Sequence, residues 1–124
     1  MQKKLVVLVA ATVGSLALGL TGCSTSYPDI AGVWKASDGS PNKTISDDGN
    51  CTNMLYTGGT MKEIAKPGMC QITGTADRGG YTLKVSQTGT VETYTATFRN
   101  HDDTIELSQA GSTIVTLTRA PSVD

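Results

Sequence analysis

The sequence predicts an all-β fold: a small antiparallel up-and-down β-barrel or sandwich of about eight strands, preceded by a helical signal peptide. Two observations predict the strands. Turn signals punctuate the chain at Asp38-Gly39, Asp48-Gly49, Gly58-Gly59, Pro67-Gly68, Gly79-Gly80, Thr88-Gly89, Asn100 to Asp103 and Ala110-Gly111. They recur about every ten residues, the spacing of an antiparallel all-β domain. The segments between them alternate with period two, the pattern of half-buried strands. Tyr81, Leu83 and Val85 alternate with Thr82, Lys84 and Ser86, and Tyr94, Ala96 and Phe98 alternate with threonines. Ile105 and Leu107 alternate with Thr104 and Glu106, and Val115 and Leu117 with Thr116 and Thr118. Threonine suits the exposed faces of such strands. The segment from Thr60 to Lys66 reads equally as a helical turn or a strand.

The third observation is at the other end of the chain. Lys3 and Lys4 precede the uncharged run Leu5 to Leu20, and small residues follow it. A basic start, an apolar stretch and small residues form an export signal. The run falls short of the roughly 20 apolar residues that span a bilayer, and Gly14, Ser15 and Gly19 soften it.

The run ends in Leu20-Thr21-Gly22-Cys23, which resembles the lipobox of bacterial lipoproteins. The resemblance implies that a diacylglyceryl group is attached to the Cys23 thiol and that the chain is cut before Cys23. The new amino group is often acylated as well, with palmitate-type chains. Two or three chains make a stable anchor, since each buried CH₂ contributes about 0.8 kcal/mol. The implied organisation is a signal peptide over 1–22 and a short tether over 23–29. A single domain over 30–120 and a tail over 121–124 follow. Seven residues of flexible tether span roughly 15 Å, which keeps the domain near the membrane. The implied location is extracytoplasmic, anchored to the cell membrane or outer membrane.

Three cysteines are an odd number for an exported chain. Assigning Cys23 to lipid leaves Cys51 and Cys70 as a pair, and a disulfide between them suits a small domain in an oxidising compartment. There is no C-x-x-C, and a single histidine supplies too few ligands for a zinc site. Cleavage before Cys23 leaves 102 of the 124 residues, enough for one modest core that a staple helps. Removing Lys3 and Lys4 leaves eight Lys plus Arg against eleven Asp plus Glu, a net charge of −3. No basic stripe is present, so nucleic acid is excluded as a partner class.

The stretch Ile30-Ala31-Gly32-Val33-Trp34, with its following Asp-Gly turn and "TISDDGN", resembles the start of small bacterial lipocalin-like domains. That resemblance covers about thirty residues and implies that Trp34 plugs one end of a barrel.

No residue pattern carries catalytic chemistry. His101 stands with Asp102 and Asp103 in a polar hairpin turn, and Asp47-Asp48-Gly49-Asn50 lacks the alternating ligands and distal glutamate of a calcium loop. No G-x-S-x-G occurs, and no glycine-rich phosphate loop. No metal and no cofactor are expected. Most aromatics fall on apolar faces, while Tyr27 and Tyr56 are the candidate exposed contact residues. The expected function is a non-enzymatic, lipid-anchored binding module with an envelope protein partner. The alternatives are a lipocalin-like carrier of a small apolar ligand, an inhibitor of an envelope-attacking hydrolase, or a phage-exclusion lipoprotein.

Overall fold

The structure, a computed structural model, describes residues 26–63 and 66–121; the apolar run and the Leu20–Cys23 stretch lie outside the described residues. Ten strands follow in chain order: β1 Gly32–Ala36, β2 Lys43–Ile45, β3 Asn50–Thr52, β4 Tyr56–Thr57, β5 Thr60–Met61, β6 Gly68–Thr75, β7 Tyr81–Gln87, β8 Thr90–Arg99, β9 Thr104–Gln109 and β10 Ser112–Arg119. Eight of them close into an antiparallel barrel in the order β1-β10-β9-β8-β7-β6-β3-β2, while β4 and β5 pair only with each other. Each barrel strand therefore neighbours its predecessor in the chain, apart from the β4–β5 detour, and β10 returns to β1. This is the up-and-down barrel of the two predicted architectures.

The turns show why the sequence folds this way. Gly58-Gly59, Thr88-Gly89 and Ala110-Gly111 each join two strands through a two-residue loop with positive φ at both positions. That geometry matches the right-handed twist of the flanking strands, and glycine meets it without steric cost. Asp48-Gly49 closes the β2–β3 hairpin, where the Gly49 amide donates to the Ser46 carbonyl at 2.9 Å. Pro67-Gly68 is the exception among the predicted turns. Gly68 opens β6 instead, and its Cα lies so close to the Ser86 carbonyl that a Cβ would sit 2.2 Å from that oxygen. Of the undecided segment, Thr60–Met61 is strand, and Ile64 and Ala65 lie outside the described residues.

Period two then fills the inside. Leu83 and Val85 of β7, Tyr94 and Ala96 of β8, Ile105 and Leu107 of β9, and Val115 and Leu117 of β10 are all buried. Register shifts between Ile72 and Gly74, and between Thr113 and Val115, are bulges that sharpen the local twist.

The two ends are built differently. At the lower end lie the entry to β1 and the turns 46–49, 76–80 and 100–103. Trp34 is fully buried there, its indole N–H donating to the Ile30 carbonyl at 3.0 Å. The Arg119 guanidinium stacks 4.3 Å from the Trp34 ring centre. It also donates to the carbonyls of Ala31 (2.7 Å), Asp29 (3.1 Å) and Asp102 (3.2 Å) and pairs with Asp103 at 3.0 Å. One side chain thus ties the last strand to the entering chain and to the 100–103 turn. Tyr27 packs edge-on against Tyr81, and Tyr81 against Phe98, so part of the predicted tether lies against the barrel.

At the upper end, the chain between β3 and β6 folds back into the mouth. Met54, Leu55 and Tyr56 are buried there as a plug. The Tyr94 hydroxyl reaches up from β8, accepting from the Tyr56 amide at 2.7 Å and donating to the Tyr56 carbonyl at 2.5 Å. A buried side chain thereby satisfies backbone groups that no strand pairs with. A disulfide between Cys51 and Cys70, with Cα atoms 5.9 Å apart, closes the base of the plug loop.

Candidate functional site

Beside the plug, four polar side chains converge from three different elements. Lys43 starts β2, and its position two residues before Ile45 turns it inward with the apolar face. It is fully buried, as is Tyr56 of β4. Asp38 and Ser40 come from the loop between β1 and β2, where an Asp-Gly turn reverses the chain.

The geometry is a closed network. Lys43 Nζ donates to Ser40 Oγ at 2.8 Å and to the Met61 thioether at 3.2 Å, and lies 5.1 Å from the Tyr56 ring centre. Asp38 accepts from the Ser40 hydroxyl at 2.6 Å, from the Ser40 amide at 3.0 Å and from the Tyr56 hydroxyl at 3.0 Å. Ser40 Oγ and the Tyr56 hydroxyl oxygen are 3.2 Å apart. No carboxylate touches the amine directly; the nearest compensation is the Coulombic pull of Asp38.

Electrostatics follow from this placement. Burial penalises the charged amine and lowers the Lys43 pKa to about 8, with Asp38 opposing the drop. Burial opposes ionisation of Asp38, but hydrogen bonds from Ser40 and Tyr56 and the charge of Lys43 hold its carboxyl below the usual value. Burial pushes the Tyr56 hydroxyl up to about 12, and Tyr94 likewise. The cluster therefore sets an amine that gives up its proton near pH 8 against an ionised carboxylate across one serine hydroxyl.

An open depression of about 520 Å³ lies over the cluster, lined by Asp38, Gly39, Ser40, Thr60, Met61 and Glu63. Ser40 is the only member of the Lys43–Ser40–Tyr56 contact that reaches this depression. A second groove, about 990 Å³ and open to solvent, runs beside β1 and β10 past Val33, Asn42, Asn100, Asp103 and Arg119. The barrel interior itself is occupied by the packed core and by the plug.

The residues singled out from sequence fall as follows. Cys51 and Cys70 are disulfide-bonded. Tyr27 is exposed at the lower end. The expectation of an exposed Tyr56 is corrected: Tyr56 is fully buried, because its ring fills the barrel mouth and its hydroxyl is held by Asp38. Cys23 and Leu20, Thr21 and Gly22 lie outside the described residues. His101 and Asp102 lie in an exposed turn, and no group of three or more His, Cys, Asp or Glu among the described residues is placed to hold a metal ion. Lys43, Ser40 and Asp38 were not singled out from sequence. The one signal was parity, since Lys43 shares the strand face of Ile45 in Lys-Thr-Ile.

Fold and site together define a closed eight-stranded antiparallel barrel with a plugged mouth and a buried lysine beneath its rim. Comparison with protein families, with curated proteins and with solved structures finds no match.

Proposed function

We propose that this protein is an exported, lipid-anchored envelope protein that acts as a binding module and presents the upper rim of its barrel to a protein partner. The observation that carries this reading is the opposition of its two ends. The described chain enters at the lower end, close in sequence to Cys23, whereas both long connections, 37–42 and 53–67, lie at the upper end. An acyl anchor on Cys23 would set the lower end toward the bilayer and turn those connections outward. Loops held on a rigid scaffold are the usual carriers of recognition. The Leu-Thr-Gly-Cys stretch after an uncharged run supports export and anchoring. The Cys51–Cys70 bridge fits an oxidising compartment.

A carrier of small apolar ligands has less support. An eight-stranded barrel is just wide enough to be filled by side chains or to hold one small ligand. Here Met54, Leu55 and Tyr56 take that space.

Two measurements test the reading. Metabolic labelling with a fatty acid should mark the wild-type chain and leave Cys23→Ala unlabelled and out of the membrane fraction; a labelled, membrane-bound Cys23→Ala protein refutes the anchor. Crosslinking from photoreactive residues at Thr60 and Gly39 in intact envelopes should trap one partner, while a probe at Asp77 on the lower end should not. Equal capture from both ends refutes the rim as the binding face.

A further inference from the structure

Beyond its role as a binding face, the rim carries a reactive group: we propose that Ser40 is a nucleophile that accepts an acyl group from activated esters or strained lactams, with Lys43 as its base. The argument is geometric. A serine hydroxyl is a weak nucleophile until a base within hydrogen-bond reach takes its proton. Lys43 Nζ is 2.8 Å from Ser40 Oγ, well within the range for direct transfer. The amine is fixed from two further sides, by the Met61 thioether at 3.2 Å and by the Tyr56 ring at 5.1 Å. It is sealed from solvent, whereas Ser40 lines the open depression, so a substrate meets the hydroxyl and not the amine.

Burial sets the chemistry of the pair. An exposed lysine is almost wholly protonated at neutral pH and is no base. With its pKa lowered to about 8, Lys43 carries a free lone pair in a substantial fraction of molecules just above neutrality. Asp38 also receives a hydrogen bond from Ser40 Oγ, at 2.6 Å. In this geometry the single Ser40 hydroxyl proton points to Asp38 and the Lys43 amine donates to Ser40 Oγ. Once Lys43 is neutral, the hydroxyl turns to the amine, which takes the proton. The other groups around the amine are Tyr56, whose hydroxyl stays neutral until about pH 12, and Glu63, which lines the depression.

The step balances without any co-reactant. Ser40 Oγ forms a bond to the acyl carbon, and its proton passes to Lys43 Nζ. The bond from the acyl carbon to the leaving group breaks, and that group departs with the electron pair and takes a proton from the Lys43 ammonium. The product is an ester on Ser40 and a neutral amine. The leaving group of an activated ester departs more readily than the Ser40 alkoxide, so acylation outruns hydrolysis of the Ser40 ester and one equivalent loads first.

The probe is p-nitrophenyl acetate, added to the detergent-extracted full-length protein. Release of p-nitrophenolate should show a burst of one equivalent, and peptide mapping should place the acetyl group on Ser40. The burst rate should rise about tenfold per pH unit below pH 8 and level off above it. Lys43→Met keeps the apolar packing of the side chain and removes the base; its burst should slow at least tenfold and lose the pH dependence. Ser40→Ala should abolish the burst and keep the near-ultraviolet circular dichroism of the wild type. Acetyl groups on exposed lysines with Ser40 unmodified, or a burst that ignores pH, overturn the proposal from the wild-type protein alone. A folded Lys43→Met protein that reacts at the wild-type rate overturns the role of the amine.

Discussion

Replacing Tyr94 by Phe tests whether the upper plug is held by the side chain beneath it. The substitution keeps the ring and removes one oxygen, which accepts from the Tyr56 amide at 2.7 Å and donates to the Tyr56 carbonyl at 2.5 Å. Tyr94 and Tyr56 are both buried, so neither orphaned backbone group regains water without opening the mouth. Each buried polar group left without a partner costs about 1–3 kcal/mol. Relief from no longer burying the hydroxyl offsets part of the sum, which leaves a net loss of about 2–4 kcal/mol. In a domain of about 100 residues, that lowers Tm by roughly 10–25 °C. Trp34, the one tryptophan and fully buried, reports unfolding in urea by its fluorescence. Tyr81→Phe is the control, because Tyr81 makes edge-on ring contacts at 5.8 Å and lies outside the plug; its change should stay within about 0.5 kcal/mol. Native-state hydrogen exchange should show the Tyr56 amide opening faster in Tyr94→Phe than the amides of β9. A Tyr94→Phe protein as stable as the control, with unchanged exchange at Tyr56, refutes the clamp.

Three further outcomes are expected. Replacing Cys51 and Cys70 together by Ala frees a loop of about 20 residues and should cost about 3 kcal/mol in urea unfolding. Stability should rise with pH above about 8, because folded Lys43 releases its proton there while the unfolded lysine keeps its own to 10.5. It should fall again beyond pH 10, where Tyr56 and Tyr94 ionise in the unfolded chain and stay neutral in the fold to about 12. Lys43→Met should abolish the rise and keep the fall, as measured by urea midpoints across that range. Arg119→Met removes the stacking on Trp34 and the hydrogen bonds to Ala31 and Asp29, and should loosen the entering chain. Limited proteolysis should then cut near Tyr27 to Ala31 before the barrel unfolds.

The barrel was legible because its strands are regular and its turns are chemical. Leu83, Val85, Ile105, Leu107, Val115 and Leu117 announce the inner face by alternation, and Thr88-Gly89 and Ala110-Gly111 demand the left-handed backbone of two-residue hairpins. Closure was not legible, since pairing of β1 with β10 joins Trp34 to Arg119 across 85 residues with no local mark in either strand. The plug escaped for a related reason. Met54, Leu55 and Tyr56 follow a three-residue strand and show no alternation of their own, and their burial depends on a hydroxyl 38 residues further along. Tyr56 is expected at the surface from sequence, and its burial shows only once the connection folds into the barrel mouth. Lys43 went unnoticed because one charge in a three-residue strand reads as solvated, and only the finished barrel shows that its face is the inner one.

The same features set the two ends of the barrel apart. At the lower end, the turns at 46–49, 76–80 and 100–103 are short, and Arg119 ties the last of them to the entering chain. At the upper end, six residues separate β1 from β2 and fifteen separate β3 from β6. A connection of fifteen residues is long for a barrel of this size, and loops of that length are commonly functional. Here most of its ordering comes from inside: the disulfide fixes its base, Tyr94 fixes its middle, and Met54 and Leu55 bury their side chains. Among the described residues of this connection, the β4–β5 hairpin tip, Lys62, Glu63, Lys66 and Pro67 are exposed. Met54, Leu55 and Tyr56 fill the mouth, and the Tyr94 hydroxyl holds Tyr56 there. A preorganised rim loses little entropy on meeting a partner. Under the proposed reading, the buried plug is the element that steadies the rim a partner would meet.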